Sequence, residues 1–167
     1  MKKLLAACTI AFTIASFVIY MLFYDILIPG LPNGSYRLAV GSMFAIPALL
    51  LLAGQVAIGG LIILFAASSI RREKLSKSIY VKSLFVASLL TLLFSVTYVI
   101  YPFFGPFYYI VFSSGGVSPL ILIGEIAWTI IMVVSGTLLT RKLHKLPAKW
   151  SLLVTIIAII FITVAAS

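Results

Sequence analysis

The sequence predicts an all-α integral membrane protein, a polytopic helical bundle with about five transmembrane helices in one domain over residues 1–167. Three observations predict this class. Of the 167 residues, 63% are hydrophobic and only 9% are charged, with a mean hydropathy of +1.28. Apolar runs long enough to cross a bilayer recur along the chain, and the segments between them are basic on one side only. Because a soluble domain needs roughly 25% charged residues, we expect no soluble domain.

Five apolar segments qualify as spans, since a helix needs about 20 apolar residues to cross the hydrocarbon core. They are expected at about 4–28, 43–70, 83–104, 118–140 and 150–166. The fifth span is short: at 1.5 Å per residue it covers about 26 Å, which suits a thin bilayer. Backbone groups in lipid must bond within their own segment, so each span is predicted to be a helix.

The basic residues predict the orientation. Eleven of the twelve lysines and arginines lie at the N-terminus or after the second and fourth spans, and only Arg37 falls on the other side. The positive-inside rule then places the N-terminus in the cytoplasm and the C-terminus outside, as in a multi-pass plasma-membrane protein. The basic loops are too short to form a nucleic-acid-binding surface, so we expect lipids as their partners. The residues expected to face lipid headgroups are Arg71, Arg72, Lys74, Lys77, Arg141, Lys142 and Lys145.

The opposite side is aromatic and almost uncharged. Proline and glycine at positions 102, 105 and 106 predict that the third helix ends there and that residues 103–117 lie along the membrane surface. Two interpretations fit the aromatic rings: an interfacial belt, or a contact surface for a partner or a lipid-like ligand. The rings concerned are Phe103, Phe104, Phe107, Tyr108 and Tyr109.

The second and fourth spans resemble each other when the chain is shifted by 70 residues. Gly54-Gln55-Val56-Ala57 then falls on Gly124-Glu125-Ile126-Ala127, and Arg71-Arg72 on Arg141-Lys142. Both halves begin on the same side, so the match predicts a parallel repeat of two hairpins followed by a fifth helix. Chance similarity between apolar helices is the alternative explanation.

Glu125 and Gln55 form a predicted intramembrane polar site. Glu125 lies about 24 Å before Arg141, and an acid in lipid costs at least about 2.5 kcal/mol, so it should face the bundle, a partner or a cavity. No lysine or arginine lies within a span, so we expect Glu125 to be protonated and bonded to Gln55. Gly54 and Gly124 would allow close helix approach beside the pair. Three roles remain open: a neutral clasp between helices, a proton- or cation-handling site, and a subunit contact.

The residues available for chemistry are few. One cysteine, one histidine and three carboxylates disfavour disulfides, haem ligation and metal clusters, so we expect no cofactor, no metal and no enzymatic activity. The predicted function is a non-catalytic membrane subunit of a larger energy-transducing or transport complex, with other membrane subunits or further copies as partners. The alternative is a small oligomeric transporter or channel that handles protons or cations through Glu125 and Gln55.

Overall fold

The described part of the chain folds into a bundle of five helices. A computed structural model describes residues 2–27, 35–72, 74–112 and 119–164, with helix side chains described at 2–21, 45–72, 74–96, 123–124 and 126–164. These residues form five α-helices and no strand, and four of the helices are long and apolar enough to cross a membrane. This confirms the all-helical prediction. The helices are α1 (Lys2–Leu27), α2 (Ser35–Arg71), α3 (Lys77–Phe112), α4 (Pro119–His144) and α5 (Ala148–Val164).

The bundle contains a ring of four helices, α2, α3, α4 and α5, and α1 lies outside this ring. In the ring, α2 packs on α3, α3 on α4, α4 on α5, and α5 back on α2. α1 packs against α3 and α2, and the ring of Phe12 lies 5.6 Å from that of Phe85. Only 6% of the candidate span in α1 is buried, against 44% in α2, so α1 is peripheral. The hydrophobic core is contributed by α2, α3, α5 and the α4–α5 connection: Val56, Ile63, Ala67, Val86, Ala87, Leu90, Leu146, Val154, Ala158 and Ile162.

Two helices are longer than the sequence predicts. α2 has 37 residues and α3 has 36, and α3 continues through Pro102 and Pro106 to Phe112. The prediction that this helix ends near residue 104 is therefore wrong. The predicted surface segment over residues 103–117 is wrong for residues 103–112, which continue the helix, and residues 113–117 lie outside the described residues. A proline removes one backbone donor, whereas ending the helix in an apolar environment leaves several backbone groups unpaired. Pro47 lies inside α2 in the same way.

The ends of the helices explain the antiparallel packing. α2 and α4 are each followed by a residue with left-handed backbone, Arg72 at φ 52° and Lys145 at φ 51°, which turns the chain sharply. Ser76 then caps α3, since the backbone N–H of Ile79 donates to Ser76 Oγ at 3.3 Å. The connections over 72–76 and 145–147 are short, so α2 and α3, and likewise α4 and α5, are antiparallel neighbours. We call this end of the bundle, with residues 71–82 and 141–149, the basic end.

Most of the serine and threonine side chains that bond to their own helix lie at least partly inside the bundle, whereas Thr163 is exposed. Eight described hydroxyls donate to a carbonyl oxygen one turn earlier in the chain, at 2.8–3.1 Å. A hydroxyl satisfied in this way needs no partner on a neighbouring helix, so it allows close helix packing at little polar cost. They belong to Thr9, Thr13, Ser16, Ser83, Ser88, Ser95, Ser151 and Thr163.

Helices approach each other most closely at glycines other than those the sequence suggests. A Cβ atom built on Gly136 would lie 2.6 Å from Thr155 Cγ2 and 2.9 Å from Leu90 Cδ2. A Cβ on Gly54 or Gly124 would meet no described atom within 4 Å. The close approach expected at Gly54 and Gly124 is therefore not found in the described part of the chain. α3, α4 and α5 meet instead at Gly136.

Candidate functional site

Gln55 of α2 and Thr91 of α3 lie at the same level on facing sides of two antiparallel helices. The register is fixed one turn away, where a Cβ on Gly59 would lie 3.3 Å from Ala87 Cβ. Gln55 precedes Gly59 by four residues and Thr91 follows Ala87 by four, so each lies one helical turn further from the basic end. Gln55 is 2% exposed and Thr91 is fully buried. We call this level of the bundle interior, with the buried residues Gln55 and Thr91, the interior polar position.

This position contains oxygen atoms without partners. Gln55 Oε1 and Thr91 Oγ1 are both buried and have no hydrogen-bond partner among the described residues. Buried polar atoms are bonded in the great majority of cases, and an unbonded one costs about 1–3 kcal/mol. The Thr91 hydroxyl also differs from the eight that bond to their own helix. Buried acceptor oxygens of this kind suit a hydrogen-bond donor, such as water or a protonated acid, or a small cation.

Glu125 lies in α4, but its side chain is outside the described residues. Seven residues separate it from Met132, which is 6% exposed, so the α4 backbone carries both positions on the same side. Arg71 Nη1 donates to the carbonyl of His144 at 3.0 Å, which aligns the ends of α2 and α4. Counted from these ends, Glu125 lies 19 residues away and Gln55 lies 16, a difference of about 4.5 Å along the bundle. The pairing of Glu125 with Gln55 stays a prediction.

Trp128 fixes α4 next to this position. Its Nε1 donates to the carbonyl oxygen of Leu93 on α3 at 3.0 Å. Further toward the basic end, Thr140 and Thr155 hydroxyls lie 3.4 Å apart and join α4 to α5. These two bonds lie on either side of the Gly136 contact, so they fix the rotation of α4 about its own axis. That rotation determines which side of the bundle the backbone at position 125 faces.

The basic end contains a polar feature that the sequence analysis missed. His144 is 3% exposed, and its Nε2 lies 3.5 Å from Ser83 Oγ. Ser83 Oγ donates its proton to the carbonyl of Ile79 at 3.0 Å, so the imidazole is the donor in the weak contact between the two side chains. His144 continues the buried four-residue spacing of Met132, Gly136 and Thr140, a signal that could have identified it.

A small pocket lies beside His144. It has a volume of about 40 Å³ and is lined by side chains from three helices. The seven basic residues predicted to face headgroups are all exposed around this end of the bundle. Their contact with lipid stays a prediction. The residues that line the pocket are Ala67, Arg71, Ile79, Lys82, Leu143 and His144.

The predicted aromatic contact surface lies in the last part of α3. The backbone of residues 103–109 is helical, and the side chains of Phe103, Phe104, Phe107, Tyr108 and Tyr109 lie outside the described ones. An α-helix places residues 103 and 107, and residues 104 and 108, one turn apart on shared faces. Their role as a contact surface stays a prediction.

The described residues bring no three potential metal ligands of the histidine, cysteine, aspartate or glutamate type together. No protein-family model, no curated protein and no solved structure matches the chain.

Proposed function

We propose that the protein is a non-catalytic integral membrane subunit of a larger plasma-membrane complex, such as an energy-transducing or transport assembly. The observation that carries the proposal is the length of α2 and α3. At 1.5 Å per residue, their 37 and 36 residues give about 55 Å each. A bilayer offers about 30 Å of hydrocarbon and 40–45 Å with its headgroups, so at a tilt of about 20° both helices extend beyond the membrane.

The extended ends are apolar, which favours a protein partner. Residues 35–46 of α2 carry one charge, Arg37, and residues 97–112 of α3 carry none. Leaving such helical surface in water costs roughly 25 cal/mol for each Å² of apolar area. A neighbouring subunit that covers these ends removes that cost. A contiguous apolar surface is typical of an interaction site.

The basic end is placed in the cytoplasm under this proposal, and the apolar ends outside. α5 has 17 residues, about 26 Å, and we propose that it crosses the membrane as the fifth span. The common left-handed ending of α2 and α4 supports a parallel repeat of two hairpins.

A reporter fused after Lys74 or Lys145 is expected to be cytoplasmic, and one fused after Ser167 is expected to be external. The expectation rests on the positive charge collected at the basic end and on the crossing of α5. Alkaline phosphatase and green fluorescent protein fusions measure the two locations. A cytoplasmic Ser167 fusion would show that α5 does not cross.

Replacing Phe107, Tyr108 and Tyr109 together with alanine is expected to release the partner subunit and leave the five-helix protein folded. The substitutions remove apolar area only from the end of α3 that extends beyond the membrane. The measurement is the mass of the purified complex in mild detergent by native mass spectrometry, together with photo-crosslinking from position 107.

The matched control replaces Phe65 of α2 and Phe161 of α5 with alanine. These side chains are 55% and 50% exposed on the outer surface of the bundle. These residues face lipid under the proposal, so their removal should leave the mass of the complex unchanged. Equal masses for the aromatic triple variant and the wild type would mean that the rings are an interfacial belt only. A crosslink from position 65 but not from 107 would place the partner elsewhere.

A second function is favoured by one observation, the pair of unpartnered oxygens at Gln55 and Thr91. In an oligomer they and Glu125 would act as a site for protons or cations in a small transporter or channel. Polar groups inside a membrane bundle often mark such a path. The two functions differ in what copurifies: other polypeptides for the subunit, and only further copies of the chain for the transporter.

A further inference from the structure

We propose that the pocket at the basic end binds a phosphate group, carried by an anionic phospholipid or free in solution. The pocket lies among α2, α3 and α4, and Arg71 and Lys82 contribute its charge. It is separate from the position formed by Gln55 and Thr91, and the inference does not depend on the proposed function.

The size of the pocket suits part of a phosphate group. One water molecule needs about 10–15 Å³ of such a volume, so about 40 Å³ admits two or three oxygen atoms. A phosphate can seat two of its oxygens there and leave its ester side outside, toward the lipid. Ala67, Ile79 and Leu143 form apolar walls that limit the access of water and strengthen a charged contact.

The charges that line the pocket are positive. Lys82 comes from the second turn of α3 and Arg71 from the last turn of α2, and none of the six lining residues is acidic. The first turn of α3 adds the positive end of a helix dipole on the same side. Charge-assisted hydrogen bonds to phosphate are about twice as strong as neutral ones, and arginine matches phosphate geometry well.

The surrounding bonds orient Arg71 toward the pocket. Its Nη1 donates to the carbonyl of His144, the last residue of α4, so the guanidinium covers the negative end of that helix. His144 is in turn held by Ser83 of α3. This bond holds the positive guanidinium beside the pocket, where its charge attracts the phosphate, and Lys82 supplies the direct charge-assisted hydrogen bond.

The test compares lipid retention by three variants in native mass spectrometry at high ionic strength, which screens exposed charges. Lys82→Gln is expected to weaken retention of phosphatidylglycerol about tenfold, corresponding to about 1.4 kcal/mol. Lys82→Arg keeps the charge and should retain the lipid. Lys74→Gln removes an exposed charge at the same end that does not line the pocket, and should change retention by less than about twofold.

Three ligands separate the sources of the phosphate. Phosphatidylglycerol, zwitterionic phosphatidylcholine and inorganic phosphate are titrated separately, and thermal unfolding of each variant without ligand confirms that it is folded. Stabilisation by phosphatidylglycerol alone identifies a lipid headgroup, and equal stabilisation by millimolar inorganic phosphate identifies the free anion. Equal losses in Lys82→Gln and Lys74→Gln, or no stabilisation by either anion, would overturn the proposal, because the charges would then act only as a diffuse surface.

Discussion

Replacing Gly136 with alanine is expected to lower the free energy of unfolding by about 1–3 kcal/mol, the cost of overpacking a well-filled interior. The new methyl group would lie 2.6 Å from Thr155 Cγ2 and 2.9 Å from Leu90 Cδ2. The threonine methyl is attached to a stiff, β-branched side chain in the middle of α5, so it cannot turn away. α4 must then move from α5, which also lengthens the contact between Thr140 and Thr155.

Three further variants identify the cause in the same unfolding experiment, performed with increasing dodecyl sulfate in mixed micelles. Gly54→Ala meets no described atom and should leave stability unchanged or raise it slightly, since alanine favours helix over glycine. Gly60→Ala should cost less than Gly136→Ala, because its closest contact is the flexible end of Leu84 at 2.7 Å. Thr155→Ser removes the obstructing methyl but keeps the hydroxyl, so it should rescue Gly136→Ala.

Failure of this rescue, or an equal loss of stability in Gly54→Ala, would contradict the three-helix contact at Gly136. A general loss of backbone flexibility would then explain the effect, because it applies to every glycine in a helix. The expected order of stability, from highest to lowest, is Gly54→Ala, Gly60→Ala and Gly136→Ala.

The helical class follows from composition, but the lengths of the helices do not. Apolar runs predict where a chain can enter lipid, and α1, α4 and α5 follow these runs closely. α3 passes through Pro102 and Pro106, where local preference favours an end. Each of these prolines removes one backbone donor, whereas ending the helix in an apolar environment, such as lipid or the surface of a partner, would leave several backbone groups unpaired. Single-residue preferences that were derived from helices in water therefore underestimate the length of α3.

The polar site is partly visible in the sequence for a related reason. Gln55 is conspicuous because it is the only side-chain amide within a span. Thr91 is not, since hydroxyls are common in the bundle and only the register between α2 and α3 brings it opposite Gln55. His144 lies among exposed lysines and arginines, so composition indicates a surface position, whereas its spacing from Thr140 indicates a buried one. Which side chains lie opposite each other on two helices depends on the register of those helices, and composition carries no information about that register.

Replacing Glu125 with leucine is expected to lower the free energy of unfolding by about 1–2 kcal/mol, while Glu125→Gln should change it little. The protonated acid is predicted to donate toward Gln55 Oε1, which has no partner among the described residues. Leucine removes that donor, and a buried acceptor without a partner costs about 1–3 kcal/mol, although hydrogen bonds between membrane helices average only about 0.6 kcal/mol. Glutamine keeps a donor at nearly the same place.

A double-mutant cycle with Gln55→Leu measures the pairing directly. If Glu125 and Gln55 bond, through a water molecule or without one, removing both should cost less than the sum of the single losses, with a coupling of about 1 kcal/mol. Additive losses would separate the two residues. Thr137→Val serves as the matched control: it replaces a buried hydroxyl that has no partner among the described residues by a methyl group of similar size. Thr137 lies about 18 Å along α4 from position 125, so it should not couple to Glu125.

The same variants decide between the clasp and the proton- or cation-handling site. In the clasp, Glu125→Gln preserves both stability and assembly, and proteoliposomes show no proton or cation flux before or after the change. In the transport alternative, Glu125→Gln preserves assembly but abolishes a flux that the wild type shows, since an amide cannot release a proton. Both interpretations start from a protonated Glu125, and infrared spectra across a pH titration test this protonation state. A carboxylate band at pH 7 that disappears in Glu125→Gln would contradict the protonated acid and indicate a cation or a water-filled path beside position 125.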